Sequence, residues 1–509
     1  MEEQLDMYST VLQYLEQTAE AYPEKKAFSD IKETYSFEEL MISAKKIGSR
    51  VAQEIDTHNP VVVYMDKRAY NILCFMGVAY AGCFYVPIDS QMPSERINLI
   101  MNTLQPQLIL YDDTTAGKLD NIDNSIKKIH YQTALECNIN DEKLDYIRLN
   151  SKNTDLLYVL FTSGSTGVPK GVTISHAAVI DFMEWICNAY DLDETTTLCN
   201  QAPFYFDASV PDIYIPLKTG ATVYIPPKSY YTFPKKILQF ICENDVNTLV
   251  WVPSALCNVV NCKAFQVCVP EKIRLVIFCG EVMPCRHLNV WRKNIPNALY
   301  VNMYGPTEAT YACMYYNINR EFADDEKLPL GKACENSEII LLDDTDKIAP
   351  DGTVGEICIL GQCLAQGYYN NTEKTEAAFM QNPVNNKWIE LMYRTGDLAY
   401  RNSAGEMIFA GRKDFQIKRL GHRIELGEIE NAIVSNKMIK NACCVYNQKS
   451  SEIVAIYVGE IEQTELQNII AAKLPQYMHP NKYVRLSAMP MNLNGKIDRT
   501  RLKSEYAEE

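Results

Sequence analysis

Residues Thr162–Gly171 read T-S-G-S-T-G-V-P-K-G, a stretch whose residue types suit the holding of an anion. Gly164, Gly167 and Gly171 are expected to take positive φ and let the backbone approach a ligand closely. The hydroxyls of Thr162, Ser163, Ser165 and Thr166, with free backbone N–H groups, can wrap phosphate oxygens. Lys170 adds a point charge. A Walker A loop is excluded, because it needs Gly-Lys followed at once by Ser or Thr, whereas Lys170 precedes Gly171 and Val172. Alone, the cluster also suits a flexible surface loop. Other polar groups are equally two-sided. Asp397 after Gly396 suits an Asx turn, and Lys496 beside Gly495 suits a solvated turn. Asp207 follows Tyr205-Phe206, so it is either a helix N-cap or a carboxylate that needs a cation in apolar company.

The apolar run Leu156–Phe161 leads into the loop and predicts a buried strand. Val172-Thr173-Ile174 follows it, then a helix with Val179, Phe182, Met183, Ile186 and Tyr190 on one face. Residues 7–22 predict a helix capped by Ser9 and ended by Pro23. Val61–Tyr64 predicts a short strand, and Gly82 breaks a helical stretch before Cys83–Asp89. Strands and helices alternate to about residue 330, which predicts parallel sheets with crossover helices. Past Glu338, short strands at Ile339–Leu342, Val354–Leu360, Leu398–Tyr400 and Met407–Phe409 predict a small β-rich layer. Gly411-Arg412-Lys413 predicts a turn, and the pattern beyond is compact α+β. The fold class is therefore α/β: a large N-terminal domain of parallel and mixed sheets with a β-rich subdomain, and a small α+β C-terminal domain.

A chain of 509 residues implies two or more domains. The net charge of −15 argues against nucleic acid and anionic membranes as partners. The first residues, M-E-E-Q-L-D-M, lack the bases and apolar core of a signal peptide, and no apolar run is long enough to span a bilayer. The 17 cysteines have neither disulfide-framework nor zinc-site spacing, which predicts reduced thiols and a cytoplasmic protein.

The loop is one of five motifs in order: Asn302–Glu308 (N-M-Y-G-P-T-E), Tyr393–Asp397 (Y-R-T-G-D), Gly411–Lys418 (G-R-K-D-F-Q-I-K) and Asn494–Arg499 (N-G-K-I-D-R) complete the set. Across nearly the whole chain this resembles the adenylate-forming superfamily. The resemblance implies a large ATP- and substrate-binding core over residues 1–413 and a mobile domain over 414–509, with Asp414 as the hinge. It assigns Thr162, Ser163, Gly164, Ser165, Thr166, Lys170, Asn302, Tyr304 and Gly305 to ATP, with Tyr304 on the adenine and Asn302 at the base edge. It places Asp397 on the ribose, Arg412 near the ribose and phosphates, Thr307 and Glu308 in catalysis with Glu308 toward Mg²⁺, and Lys496 between the substrate carboxylate and the α-phosphate.

Asp207 matches the aspartate that pairs with the substrate ammonium in the amino-acid-activating branch. The pocket would then be Ala208, Pro211, Val250, Ile277, Cys279, Met303, Tyr311 and Ala312, without a second charge. Gln201–Phe204 and Phe278–Glu281 look most like stand-alone D-alanine–carrier-protein ligases, although Ala208 and Pro211 stand where larger apolar residues are usual, and Met303 and Tyr311 also depart from that pattern. The resemblance implies adenylation of a small uncharged amino acid, D-alanine first, then transfer to the phosphopantetheine thiol of a carrier protein in trans, since the chain ends soon after Lys496. Nonribosomal-peptide-type adenylation of another amino acid is the alternative. An acyl-CoA synthetase is disfavoured by Asp207, and a homologue without turnover by the intact motifs.

Overall fold

The computed structural model describes residues 9–164, 167–491 and 497–507. Their packing divides the chain into two compact units. One comprises the stretch ending at Ser90 with Gln105–Leu160 and Val172–Gly411. The other comprises Gln91–Leu104, Phe161–Gly171 and the stretch from Arg412 onward.

The first unit is built on three sheets. In the nine-stranded sheet, Leu299–Tyr304, Leu275–Phe278, Thr248–Trp251, Thr197–Cys199, Thr222–Ile225 and Lys26–Asp30 run parallel in that order. Antiparallel strands close both edges: Met314–Asn317 and Lys332–Ala333 at one, Thr34–Ser36 at the other. A six-stranded sheet pairs Lys127–His130, Leu108–Tyr111, Pro60–Met65, Phe84–Asp89 and Leu156–Thr162 in parallel, and Lys170–Ser175 completes it. The apolar run before the loop is thus the buried strand its composition predicts, and Ser175 caps the following helix, His176–Ala189, by accepting from Ala178 N. A third, antiparallel sheet holds Ser337–Leu342, Gly355–Gly361, Leu391–Arg401, Phe379–Gln381 and Met407–Arg412, the expected β-rich layer.

The second unit carries a hairpin, Gln416–Arg419 with His422–Glu425, and a three-stranded sheet of Ile439–Asn447, Glu452–Gly459 and Lys482–Arg485. Helices Leu426–Val434 and Gln463–Lys473 bury Ile429, Ile433, Leu466 and Ile470 in one apolar cluster, and Leu502 of Arg499–Tyr506 fills another.

Four expectations are corrected. The first helix is Leu12–Ala21, and Ser9 does not cap it; the Ser9 N–H and hydroxyl both donate to Gln13 Oε1 instead. Gly411-Arg412 is the end of a strand and not a turn. Asp397 lies inside an eleven-residue strand. Cys242 and Cys268 form a disulfide, while the other cysteines are free thiols. Among the described residues no helix is long and apolar enough to cross a membrane.

Candidate active site

Within the first unit, neighbouring strands pair Val250 with Ile277 and Ile277 with Val301. Paired residues share a face and the face alternates along each strand, so Val250, Ile277, Cys279, Val301 and Met303 face one way. All five sit in one apolar cluster, whereas the alternate residues Leu249, Trp251, Val276, Phe278 and Tyr300 fill another. Ala208 packs against the first cluster, and Tyr311 and Ala312 belong to it. Pro211 is buried on the helix Val210–Thr219. Of the residues expected to line a side-chain pocket, all but Pro211 therefore gather in or against one apolar cluster on one side of the nine-stranded sheet.

The Tyr311 wall is bent sharply. Thr310 and Tyr311 are consecutive left-handed residues, with φ of 50° and 79°. Thr310 Oγ1 donates to Cys363 O at 2.7 Å, and the Tyr311 ring meets Phe182 edge-on at 5.7 Å. The Cys279 thiol lies 3.8 Å from Tyr311 O. Gly305 is demanded by close approach: a Cβ there would lie 2.5 Å from Ala312 Cα and 2.6 Å from Tyr311 O.

Asp207 opens a single 3₁₀ turn, Asp207–Ser209, whose N-cap is Phe206 and which no side chain caps. The capping alternative is thereby removed. Its Oδ2 accepts from Thr307 Oγ1 at 2.7 Å. Glu308 is fully buried, and Tyr368 OH donates to its Oε1 at 2.8 Å.

Asp397 is 3% exposed and accepts at Oδ2 from Tyr304 OH at 2.6 Å. Burial, with the Asp397 charge second, pushes the Tyr304 phenol well above its ordinary range and keeps it a donor. The Asx-turn alternative fails because Asp397 is a strand residue. Gly396 takes φ of 73°, and pairing with Gly355–Gly361 slips between Glu356 and Cys358, which redirects the carboxylate. Asn302 uses its amide donor on Pro329 O at 2.8 Å.

Within the second unit, Ser163 Oγ donates to Arg423 O at 2.8 Å, and Gly164 N–H bonds Glu428. Glu428 pairs with Arg96, both almost completely buried. Of the three loop glycines only Gly167 takes positive φ, 83°; Gly164 is needed because a Cβ there would strike Val168 O. Lys170 begins the next strand. Arg412 grips Asp414 at two points, Nε to Oδ1 at 2.6 Å and Nη2 to Oδ2 at 2.7 Å. Ser165, Thr166 and Lys496 lie outside the described residues.

Sequence reading missed Tyr368, Lys67 and Asp212. Asp212 carried a signal, a carboxylate amid apolar residues in Val210–Leu217. Tyr368 and Lys67 carried none, since each meets partners distant in the chain.

The profile of the AMP-binding enzymes matches residues 15–369, and that of their C-terminal domain matches 428–496. A D-alanine–D-alanyl carrier protein ligase of Bacillus velezensis is 33% identical over 507 residues, covering 96% of this chain and 97% of that one. Tyrocidine synthase 1 of Brevibacillus parabrevis is 31% identical, covering 97% of this chain and 45% of its own length. Among solved structures, IdnL1 superposes with a TM-score of 0.82 at 26% identity, covering 95% of this chain and 98% of that one. Fold, motifs and relatives define an ATP-dependent, AMP-forming ligase. The chain belongs to the AMP-binding enzyme family.

Proposed function

We propose that the protein joins ATP to a small uncharged amino acid, D-alanine first, as an aminoacyl adenylate. It then passes the aminoacyl group to the phosphopantetheine thiol of a carrier protein acting in trans in the cytoplasm. The observation that carries this reading is the Asp207–Thr307 hydrogen bond, which fixes a carboxylate beside a wall that is otherwise apolar. Such a carboxylate suits a cation, and the ammonium of an amino acid is one. A fatty acid has none. Met303 and Tyr311, both large and buried, shorten the space for a side chain. The relatives named as D-alanine–D-alanyl carrier protein ligases favour D-alanine and a carrier protein. The similarity to tyrocidine synthase 1 keeps a second reading, adenylation of another amino acid in nonribosomal peptide synthesis.

In this reading Asp397 accepts from the ribose, oriented by Tyr304, and Tyr304 presents its ring to the adenine. The Thr162–Lys170 loop, Thr307 and Arg412 serve the phosphates. Lys496 neutralises charge as the carboxylate attacks the α-phosphorus. Among the described residues no cluster of three or more His, Cys, Asp or Glu could hold a metal. Mg²⁺ would therefore be held by Glu308 and nucleotide phosphates, a donor set that suits it, and would supply positive charge to the phosphates. Residues 1–413 and 414–509 act as core and mobile domain, hinged at Asp414.

The test is ATP–pyrophosphate exchange with D-Ala, L-Ala, Gly, L-Ser and L-Phe at equal concentration, repeated with Asp207→Asn. D-Ala should be fastest. Fastest exchange with L-Phe refutes the small pocket, and unchanged exchange in Asp207→Asn refutes the ammonium contact.

A further inference from the structure

The Asn200–Asp212 segment carries Asp207 at its middle and is tied at both ends. At its start, Asn200 is fully buried, and Asn200 Nδ2 donates to Asp212 Oδ2 at 2.7 Å and to Ala202 O at 3.3 Å. At its end, Asp212 is 1% exposed. From the six-stranded sheet, Lys67 follows the strand Pro60–Met65 and its ammonium donates to Asn200 O at 3.3 Å and Gln201 O at 3.1 Å. Tyr231 OH also donates to Asn200 O, at 2.8 Å, and Trp251 Nε1 to Cys199 O at 2.9 Å. The Lys67 ammonium lies 6.0 Å from the Phe204 ring centre and 5.9 Å from that of Tyr231.

We propose that Lys67 and Asp212 are positioning residues: joined through Asn200, which Lys67 holds by its carbonyl and Asp212 by its side-chain amide, they fix the Asn200–Asp212 segment so that Asp207 meets the substrate ammonium. The proposal rests on the reading of Asp207 as the ammonium partner.

Two observations argue that the pair is there for placement and not for stability. Replacing buried ionisable groups by apolar residues is often neutral or stabilising, so Asp212 and the Lys67 ammonium beside Phe204 and Tyr231 call for another reason. Asn200 Oδ1 and Asp212 Oδ1 are buried and have no hydrogen-bond partner among the described residues, a cost an apolar replacement would avoid. The charges also temper each other. Burial raises Asp212 to about 7 against the opposing pull of Asn200 and Lys67, and burial lowers Lys67 to about 8 against the pull of Asp212. The other titratable groups facing the pair are Cys199, Tyr231, Tyr311 and Lys228.

The test uses the full chain and pyrophosphate exchange with whichever amino acid of the panel is fastest. Lys67→Met should raise the amino-acid KM about 10-fold or more, because a misplacement of about 1 Å can cost as much as 10²-fold. The ATP KM should stay within about twofold, and Lys67→Arg should recover most of the loss, since it keeps the charge. The double variant Lys67→Met, Asp212→Leu removes both charges; it should fold and keep the raised amino-acid KM. An unchanged amino-acid KM in Lys67→Met or in the folded double variant overturns the proposal, as does an equal rise in both KM values. Asp207→Asn separates the layers. If it raises the amino-acid KM while Lys67→Met does not, the brace alone fails. If it leaves that KM unchanged, the ammonium reading fails first.

Discussion

Thr307 Oγ1 donates to Asp207 Oδ2 at 2.7 Å, joining residues 100 positions apart. The bond links the G-P-T-E motif to the turn that opens the Val210–Thr219 helix. A carboxylate held this way loses orientation when the donor is removed.

Thr307→Val should therefore raise the amino-acid KM about 10-fold, the scale of losing one hydrogen bond to a charged group. Thr307→Ser should stay near wild type. Pyrophosphate exchange at varied amino acid reads this directly. A loss confined to kcat would assign Thr307 to the phosphates alone.

Tyr304→Phe keeps the ring and removes the hydroxyl that bonds Asp397. The ATP KM should rise about 5- to 10-fold on the same scale, with the amino-acid KM unchanged. A rise in the amino-acid KM instead would disconnect the Tyr304–Asp397 pair from the nucleotide.

Much of this arrangement was legible in the residues, because apolar runs and period-two alternation report strands directly. The shared face of Val250, Ile277 and Met303 follows from that alternation once the register is known. Asp397 was misplaced because its position depends on a slip against Gly355–Gly361, which no local pattern records. Ser9 misled for a similar reason: Gln13 competes for its hydroxyl and N–H. The Cys242–Cys268 bond joins residues 26 apart with no motif around either. Lys67 reads as an ordinary residue until the folded chain brings it to Asn200.

Arg412 clamps Asp414 in a two-point ion pair, and Gln416 N donates to the same carboxylate at 3.1 Å. Burial pushes the Asp414 carboxyl up, but the Arg412 hydrogen bond and charge, with the Gln416 N–H and the Arg423 charge, together hold the group below its usual range. Asp414→Pro fixes φ near −65° and should slow thioester formation about 10-fold or more relative to adenylation. Single-turnover rates of the two half-reactions decide. Equal loss in both would remove Asp414 from the hinge.

His176 is buried, and its Nδ1 accepts from Val11 N at 3.2 Å, which requires the neutral ring. Burial, with Arg148 adding repulsion, lowers it from 6.5 to about 3. The unfolded chain therefore binds one more proton than the folded chain between those values. Its contribution to stability is complete above the unfolded value of 6.5 and is lost as pH falls toward about 3. Within that window stability should fall by up to about 1.4 kcal/mol per pH unit from this group. His176→Gln should flatten the acid limb of a thermal-stability profile, and an unchanged limb would assign the acid sensitivity to other groups.

The consecutive left-handed residues Thr310 and Tyr311 bear on how the substrate could drift during evolution. A bulky residue at positive φ is strained by about 1–3 kcal/mol. Glycine at 311 would remove that strain while opening the wall, so the loss of packing is partly offset where the pocket widens. Met303 has no such offset; it sits in a regular strand, and shrinking it leaves only a cavity. If Tyr311 lines the proposed pocket, a lineage exploring larger amino acids would find its least costly first step there, with the fold of the sheet untouched.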